Sequence, residues 1–181
     1  MVSGPEVFNR ELEDYIRSIK KIGPDDGRPL EAGGNNNPNI MIIGNFITEE
    51  KLWDMFSSLG LKLASEDLCV SNRYFQGLVS ARESQDLMGA IAARYLYKPG
   101  CMRMADLGEK LKSLENNIKD NKINGVIFIS LKFCDTVLYS FPLIKQKLGE
   151  LNIPTLYLEI EYGNFSEGQV KTRVEAFLEM L

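Results

Sequence analysis

The sequence contains no histidine among its 181 residues. This absence excludes Ser-His-Asp and Cys-His nucleophiles, zinc sites that need an imidazole ligand, and histidine as a general base. The three cysteines, Cys69, Cys101 and Cys134, are widely spaced and include no C-x-x-C pair, so they predict neither a disulfide framework nor a zinc ribbon. Any chemistry that uses cysteine therefore has to be assembled by the fold.

The sequence also lacks a long apolar run and a large excess of charge of one sign. Its apolar stretches are the length of strands, far below the roughly 20 residues of a membrane helix, and its N-terminal residues show no signal-peptide pattern. The 25 acidic and 21 basic residues give a net charge of -4 without a basic stripe. We therefore expect a cytoplasmic protein that binds neither nucleic acid nor a membrane.

Length and composition are those of one globular domain with an appended segment. Hydrophobic residues make up 44% of the chain and charged residues 25%. An apolar periodicity over residues 6–22 predicts that residues 1–22 hold an N-terminal amphipathic helix. Residues 23–38 are rich in glycine, proline and asparagine, which predicts a linker. Residues 39–181 are expected to form the main domain.

Strand and helix patterns alternate from residue 39 onward. Apolar runs predict strands at residues 40–45, 61–65, 125–131 and 154–159, and amphipathic patterns predict helices at 48–60, 85–97, 105–119, 135–151 and 167–181. This alternation is typical of an α/β domain with helices on both faces of a parallel sheet. We predict a Rossmann-like (flavodoxin-like) domain with four parallel strands in the order 2-1-3-4, and Thr48 and Asp135 as helix caps.

Ligands of such sheets bind beyond the carboxyl ends of the strands, where the strand order reverses. The candidates for a substrate site at this edge are Gly44, Asn45, Glu66, Asp67, Cys69, Glu159 and Glu161. No phosphate-binding glycine motif surrounds Gly44, and neighbouring carboxylates are also typical of a solvated surface. Cys134 lies between a predicted strand and a helix N-terminus, which favours a reactive sulfur, although a cysteine is also typical of a small buried hydrophobe.

Several ordered motifs resemble the 2-hydroxyacyl-CoA dehydratase and benzoyl-CoA reductase family, in particular the D-component of 2-hydroxyglutaryl-CoA dehydratase. They are Lys132-Phe133-Cys134-Asp135, Glu66-Asp67-Leu68-Cys69 with Arg73-Tyr74-Phe75, Ile153-Pro154-Thr155-Leu156, and the C-terminal run that starts at Gly168. The chain has Thr136 where the family often has proline, and Ser71 where it often has glycine. The resemblance begins near residue 39 and matches the C-terminal half of a typical subunit.

The resemblance implies a lyase of anaerobic metabolism that removes water from a 2-hydroxyacyl-CoA through a ketyl radical. It implies that Cys134 is a ligand of a four-iron four-sulfur cluster whose other ligands lie in a missing N-terminal half, and it assigns no ligand role to Cys69 or Cys101. The implied partners are the acyl-CoA thioester, the missing half or a second dehydratase subunit, and an ATP-dependent activator that delivers one electron. The isolated chain is expected to be inactive.

Three functions stay open at this point. The chain is a domain of a dehydratase subunit, a domain of a benzoyl-CoA reductase-type subunit, or a binding or assembly module that keeps the fold without the cluster. The thioester that the completed complex converts distinguishes the first two. The binding or assembly module differs from the two enzyme subunits because it would take up no iron even when the missing half is supplied.

Overall fold

The computed structural model describes residues 37–71, 79, 86–98, 100–101, 107–164 and 166–181. The predicted N-terminal helix in residues 1–22 lies outside the described residues, as does most of the predicted linker. The motif residues Arg73, Tyr74 and Phe75 also lie outside them. The proposed boundary between the linker and the main domain therefore stays a prediction.

Four strands form one parallel sheet at the centre of the domain. They are β1 (Asn39–Gly44), β2 (Lys62–Leu68), β3 (Gly125–Leu131) and β4 (Thr155–Ile160). The strand order is β2-β1-β3-β4 and every pairing is parallel, which confirms the predicted fold class and topology. The strand order reverses between β1 and β3, so the carboxyl ends of these two central strands border the crevice where such sheets bind ligands.

Helices cover both faces of the sheet. The described helices are α1 (Glu50–Ser58), α2 (Leu87–Leu96), α3 (Leu107–Asp120), α4 (Asp135–Glu150) and α5 (Glu167–Glu179). Alternate residues of β1 enter opposite apolar clusters, because successive side chains of a strand point to opposite faces. Ile40 and Ile42 pack with residues of α1 and α5, whereas Met41 and Ile43 pack with residues of α3 and α4. Among the described helices, none is long and apolar enough to cross a membrane.

Two predicted helix caps are each wrong by one residue. The helix α1 begins at Glu50 with Glu49 as its N-cap, so Thr48 lies outside the helix. Asp135 is the first helical residue of α4, and the N-cap position belongs to Cys134. The second difference matters for the site, because it places the cysteine itself at the positive end of the helix dipole.

A charge network on the surface links α3 to α4. Lys119 and Lys147 donate to the Glu115 carboxylate at 2.6 and 2.8 Å. The hydrogen bonds from Lys119 and Lys147 lower the pKa of Glu115 to about 2. Because these ion pairs are on the surface, they bridge α3 and α4 but contribute little to the packing of the two helices.

Candidate functional site

A buried asparagine lies at the carboxyl end of β1. Asn45 is 6% exposed, and its backbone N–H donates to the carbonyl oxygen of Ile129 at 3.0 Å. Its side-chain Oδ1 accepts a hydrogen bond from the backbone N–H of Leu131 at 2.9 Å. Because that backbone group can only donate, it determines which end of the amide is oxygen, and Nδ2 must face the opposite way.

Two cysteine sulfurs lie next to that amide nitrogen. The distance from Asn45 Nδ2 is 3.3 Å to the sulfur of Cys134 and 4.0 Å to the sulfur of Cys69. Both cysteines are half-buried thiols outside any disulfide, and both pack against the apolar cluster beneath α3 and α4. Three predicted candidates, Asn45, Cys69 and Cys134, are thus brought together, and we call them the amide-thiol cluster.

Backbone hydrogen bonds position both cysteines. The N–H of Cys69 donates to the carbonyl oxygen of Gly44 at 3.0 Å, just beyond the end of β2. The N–H of Cys134 donates to the carbonyl oxygen of Leu131 at 3.1 Å and closes a turn between β3 and α4. Since β1 lies between β2 and β3, the two cysteines approach Asn45 from opposite sides.

Gly44 contributes the backbone geometry of the site. Its φ is +131°, and a Cβ at this position would lie 1.9 Å from the carbonyl oxygen of Ile129. Only glycine permits so close an approach of β1 to β3 at this φ. The carbonyl oxygen of Gly44 accepts the hydrogen bond from the Cys69 N–H, and Asn45 follows Gly44 in the chain, so this glycine positions two of the three members of the cluster.

The turn before Cys134 contains an exposed aromatic residue with a strained backbone. Phe133 occupies the third position of this turn with a φ of 66°, and its side chain is 91% exposed. Glycine and asparagine are preferred at a turn position with positive φ, and a bulky residue there costs about 1 to 3 kcal/mol. An exposed ring offsets little of that cost, so Phe133 adds little to the stability of the fold at this edge.

Phe133→Asn should raise the free energy of unfolding by about 1 kcal/mol, since asparagine adopts a positive φ with much less strain. Urea unfolding followed by circular dichroism measures the change. Phe133→Leu keeps the strain and is the control, and it should shift stability by less than about 0.5 kcal/mol. A lower stability of Phe133→Asn would mean that the ring contributes packing energy and would contradict this assignment.

The predicted acidic candidates Glu66 and Asp67 lie within β2 and not beyond its end. The prediction ended this strand too early, because pairing with β1 continues as far as Leu68. Asp67 forms an ion pair with Lys110 of α3 at 2.7 Å, and both side chains are largely buried. Glu66 accepts a hydrogen bond from the backbone N–H of Leu68 at 2.9 Å.

Glu159 also lies within its strand, whereas Glu161 follows β4 as predicted. The hydroxyl of Tyr157 donates a hydrogen bond to the Glu159 carboxylate at 3.3 Å. Burial raises the pKa of Tyr157, and the neighbouring Glu159 carboxylate raises this pKa further. Glu161 pairs with Lys132 at 3.0 Å on the surface. Both glutamates line a surface cleft of about 280 Å³, together with Arg173, at the carboxyl end of β4.

Lys110 is the main polar residue that the sequence analysis missed. It lies one turn before Leu114 on the buried stripe of α3 and is 4% exposed. A lysine at an apolar position of a helix can be found in the sequence. It predicts an acidic partner nearby, because a buried ammonium group needs one.

Large apolar side chains are exposed after all four strands. Phe46, Val70, Phe133 and Tyr162 follow β1, β2, β3 and β4, and their exposures range from 44% to 91%. We call these four residues the apolar rim. Exposed apolar residues collected at one edge of a domain are typical of a surface that another protein segment covers.

Comparison with known proteins shows the family of this chain. The family model described as 2-hydroxyglutaryl-CoA dehydratase, D-component, matches residues 1–181. The chain is 33% identical over 179 residues to the "Putative dehydratase subunit YjiM" of Escherichia coli (strain K12), and 24% identical over 173 residues to the "(R)-phenyllactyl-CoA dehydratase beta subunit" of Clostridium sporogenes. It is 26% identical over 172 residues to a benzoyl-CoA reductase subunit of Thauera aromatica.

These alignments cover nearly all of this chain but only part of each relative. They include 97%, 95% and 92% of this chain, against 45%, 42% and 41% of the three relatives. The chain therefore spans less than half the length of the curated relatives it matches.

Proposed function

Because the chain belongs to the 2-hydroxyglutaryl-CoA dehydratase D-component family, we propose that it is the C-terminal domain of a dehydratase subunit that eliminates water from a 2-hydroxyacyl-CoA. The observation that carries this proposal is the amide-thiol cluster at the carboxyl edge of the sheet, beside the crevice where such sheets bind ligands. The printed names of the relatives describe subunits of acyl-CoA dehydratases and of a benzoyl-CoA reductase, which supports an acyl-CoA thioester as the substrate.

The cofactor that we propose is a four-iron four-sulfur cluster with Cys134 as a ligand. Thiolate sulfur is the usual ligand of such clusters, and the amide-thiol cluster presents two half-buried sulfurs at one edge. The described residues contain no group of three or more side chains suited to a metal ion, and we assign the remaining ligands to the missing N-terminal half. Cys134 would hold this cluster, and a bound cluster would supply one-electron reduction of the thioester carbonyl.

The residues of this chain position the ligand and control its surroundings. Cys134 lies at the N-cap of α4, at the positive end of the helix dipole. Asn45 donates a hydrogen bond to the same sulfur, and hydrogen bonds to ligand sulfurs tune the potential of iron–sulfur centres. Asp67 and Lys110 tie α3 to the carboxyl end of β2, close in sequence to Cys69.

We place the partner of this domain on the apolar rim. The missing N-terminal half or a second dehydratase subunit would bury Phe46, Val70 and Phe133 and remove water from the thiols behind them. An ATP-dependent activator is the proposed electron donor for the assembled protein. The cytoplasmic location and the anaerobic setting stay predictions.

Turnover by a completed assembly tests the proposal. The chain is combined anaerobically with the N-terminal half and second subunit of a dehydratase relative, an activator, ATP and a reductant. The substrates are the 2-hydroxyglutaryl, lactoyl and phenyllactyl thioesters that the names of the relatives indicate. We expect formation of the matching enoyl-CoA by the assembly and none by the isolated chain, because the described residues supply only two neighbouring sulfurs.

Two results would contradict this proposal. Dehydration by the isolated chain would show that no further half is needed, and an iron-loaded assembly that converts none of the hydroxyacyl thioesters would exclude a dehydratase. The similarity to a benzoyl-CoA reductase subunit supports the second candidate, so benzoyl-CoA belongs in the same assay. An assembly that takes up no iron would instead support a non-catalytic module.

A further inference from the structure

The helix α2 is apolar around nearly its whole circumference, but it is not buried. Arg94 is the only charged residue among the ten residues of α2. The other described helices each bury at least three side chains, whereas α2 buries none, and neither apolar cluster of the described core contains a residue of α2. Since a helix that is apolar on all sides is normally buried, the surface of α2 is suited to being covered by another chain.

An exposed apolar stripe follows one side of α2. Met88, Ala92 and Leu96 are spaced four residues apart, so they lie above one another on the same side of the helix. All three are exposed, Met88 to 71% and Leu96 to 72%. We call these three residues the α2 stripe. It has a small residue at its centre and a large apolar side chain at each end.

The two ends of α2 carry opposite charges. Asp86 is the N-cap, and its carboxylate accepts a hydrogen bond from the Met88 N–H at 3.0 Å. The cationic groups of Arg94 and Lys98 lie at the other end, 4.7 and 4.9 Å from the centre of the Tyr95 ring. An elongated surface with one sign of charge at each end is complementary to an antiparallel copy of itself.

We propose that two copies of this chain associate through their α2 stripes as an antiparallel pair with two-fold symmetry. When the symmetry axis passes beside Ala92, Met88 of one copy lies opposite Leu96 of the other. In the same register Tyr95 of one copy lies opposite Gly89 of the other, so a large ring faces the residue that has no side chain. The acidic end of each helix then lies beside the basic end of the other, whereas a parallel pair would bring like charges together.

This association goes beyond the proposed function, because none of its residues belongs to the amide-thiol cluster or to the apolar rim. Two ten-residue helices bury less than the roughly 800 Å² per partner of a standard stable interface. We therefore expect a dimer that forms reversibly at micromolar concentrations of the chain.

Sedimentation velocity of the 181-residue chain over a range of micromolar concentrations tests the association. Ala92→Arg opposes two like charges at the symmetry axis, so the dissociation constant should rise at least about tenfold. Gln146→Arg, at an exposed position of α4, is the matched control, and Phe133→Asn changes the most exposed ring of the apolar rim. Both should associate like the parent chain.

Three results would overturn the proposal. They are a parent chain that stays monomeric at all these concentrations, an Ala92→Arg variant that associates as tightly as the parent, and association that is lost in Phe133→Asn but kept in Ala92→Arg. The last result would assign the contact to the apolar rim. Circular dichroism of each variant establishes that it is folded, and the cross-linking experiment decides the proposal if Ala92→Arg is not.

Cysteine cross-linking tests the orientation of the two helices. Ala92→Cys should form a disulfide-linked dimer under mild oxidation, because the symmetry axis brings residue 92 of both copies together. Met88→Cys should link to Leu96→Cys in a mixture but not to itself, since the two copies of residue 88 lie about 12 Å apart along the helices. Gln146→Cys is the control and should form no such link. Peptide mass spectrometry identifies the linked residues, and a link between two copies of residue 88 would contradict the antiparallel pair.

Discussion

Cys134→Ser should abolish the incorporation of iron and sulfide into the completed subunit while leaving the stability of the chain nearly unchanged. A serine hydroxyl does not replace a thiolate as a cluster ligand, because iron–sulfur clusters are held by soft sulfur donors. The fold should tolerate the change, since Cys134 is the N-cap of α4 and its side chain makes no capping hydrogen bond. Serine is among the preferred N-cap residues, so we expect a stability change within about 1 kcal/mol.

We compare the parent chain with the Cys134→Ser and Cys101→Ser variants. Iron and sulfide content and visible absorption measure cluster incorporation, and urea unfolding measures stability. The Cys101→Ser control should retain the cluster, because the amide nitrogen of Asn45 groups Cys69 with Cys134 and the family resemblance gives Cys101 no ligand role. A buried structural cysteine at position 134 would behave in the opposite way. It would resist alkylation in the native chain, and its serine variant would lose about 1 to 3 kcal/mol of stability for a polar group without a partner.

Gly44→Ala should lower the free energy of unfolding by at least about 3 kcal/mol. The new Cβ would lie 1.9 Å from the Ile129 carbonyl oxygen, which is a backbone atom held in the sheet, and alanine would also be strained at a φ of +131°. A domain of this size is typically stable by about 5 to 15 kcal/mol, so much of its stability would be lost. Chemical unfolding followed by circular dichroism and tryptophan fluorescence measures the loss.

Two other glycines provide matched controls for Gly44→Ala. Gly163 has a φ of +71° with no atom near its Cβ position, so Gly163→Ala should cost only about 1 to 2 kcal/mol for the backbone conformation. Gly168 lies in α5 with open space around it, so Gly168→Ala should raise stability by up to about 1 kcal/mol. A Gly44→Ala variant no less stable than Gly163→Ala would show that β1 and β3 can separate at this point.

The sequence by itself determined the fold class and the strand order, and it indicated the edge that carries the candidate site. The apolar runs of β1 and β3 were readable because both strands are buried on both faces, and the alternation of strands with helices leaves few topologies for a parallel sheet. Strand ends were less readable. Glu66 and Asp67 are polar and resemble loop residues in the sequence. In the structure each of them pairs with a residue of β1, so β2 continues to Leu68.

Only the tertiary structure decided how the candidates are grouped. Asn45, Cys69 and Cys134 are far apart in the chain, and no local pattern reports the 3.3 and 4.0 Å distances from one amide nitrogen to two sulfurs. Those distances depend on the close approach of Gly44 to Ile129 and on the turn at Phe133. Periodicity describes the faces of single elements, whereas a site is formed by contacts between elements, whose distances depend on register and packing.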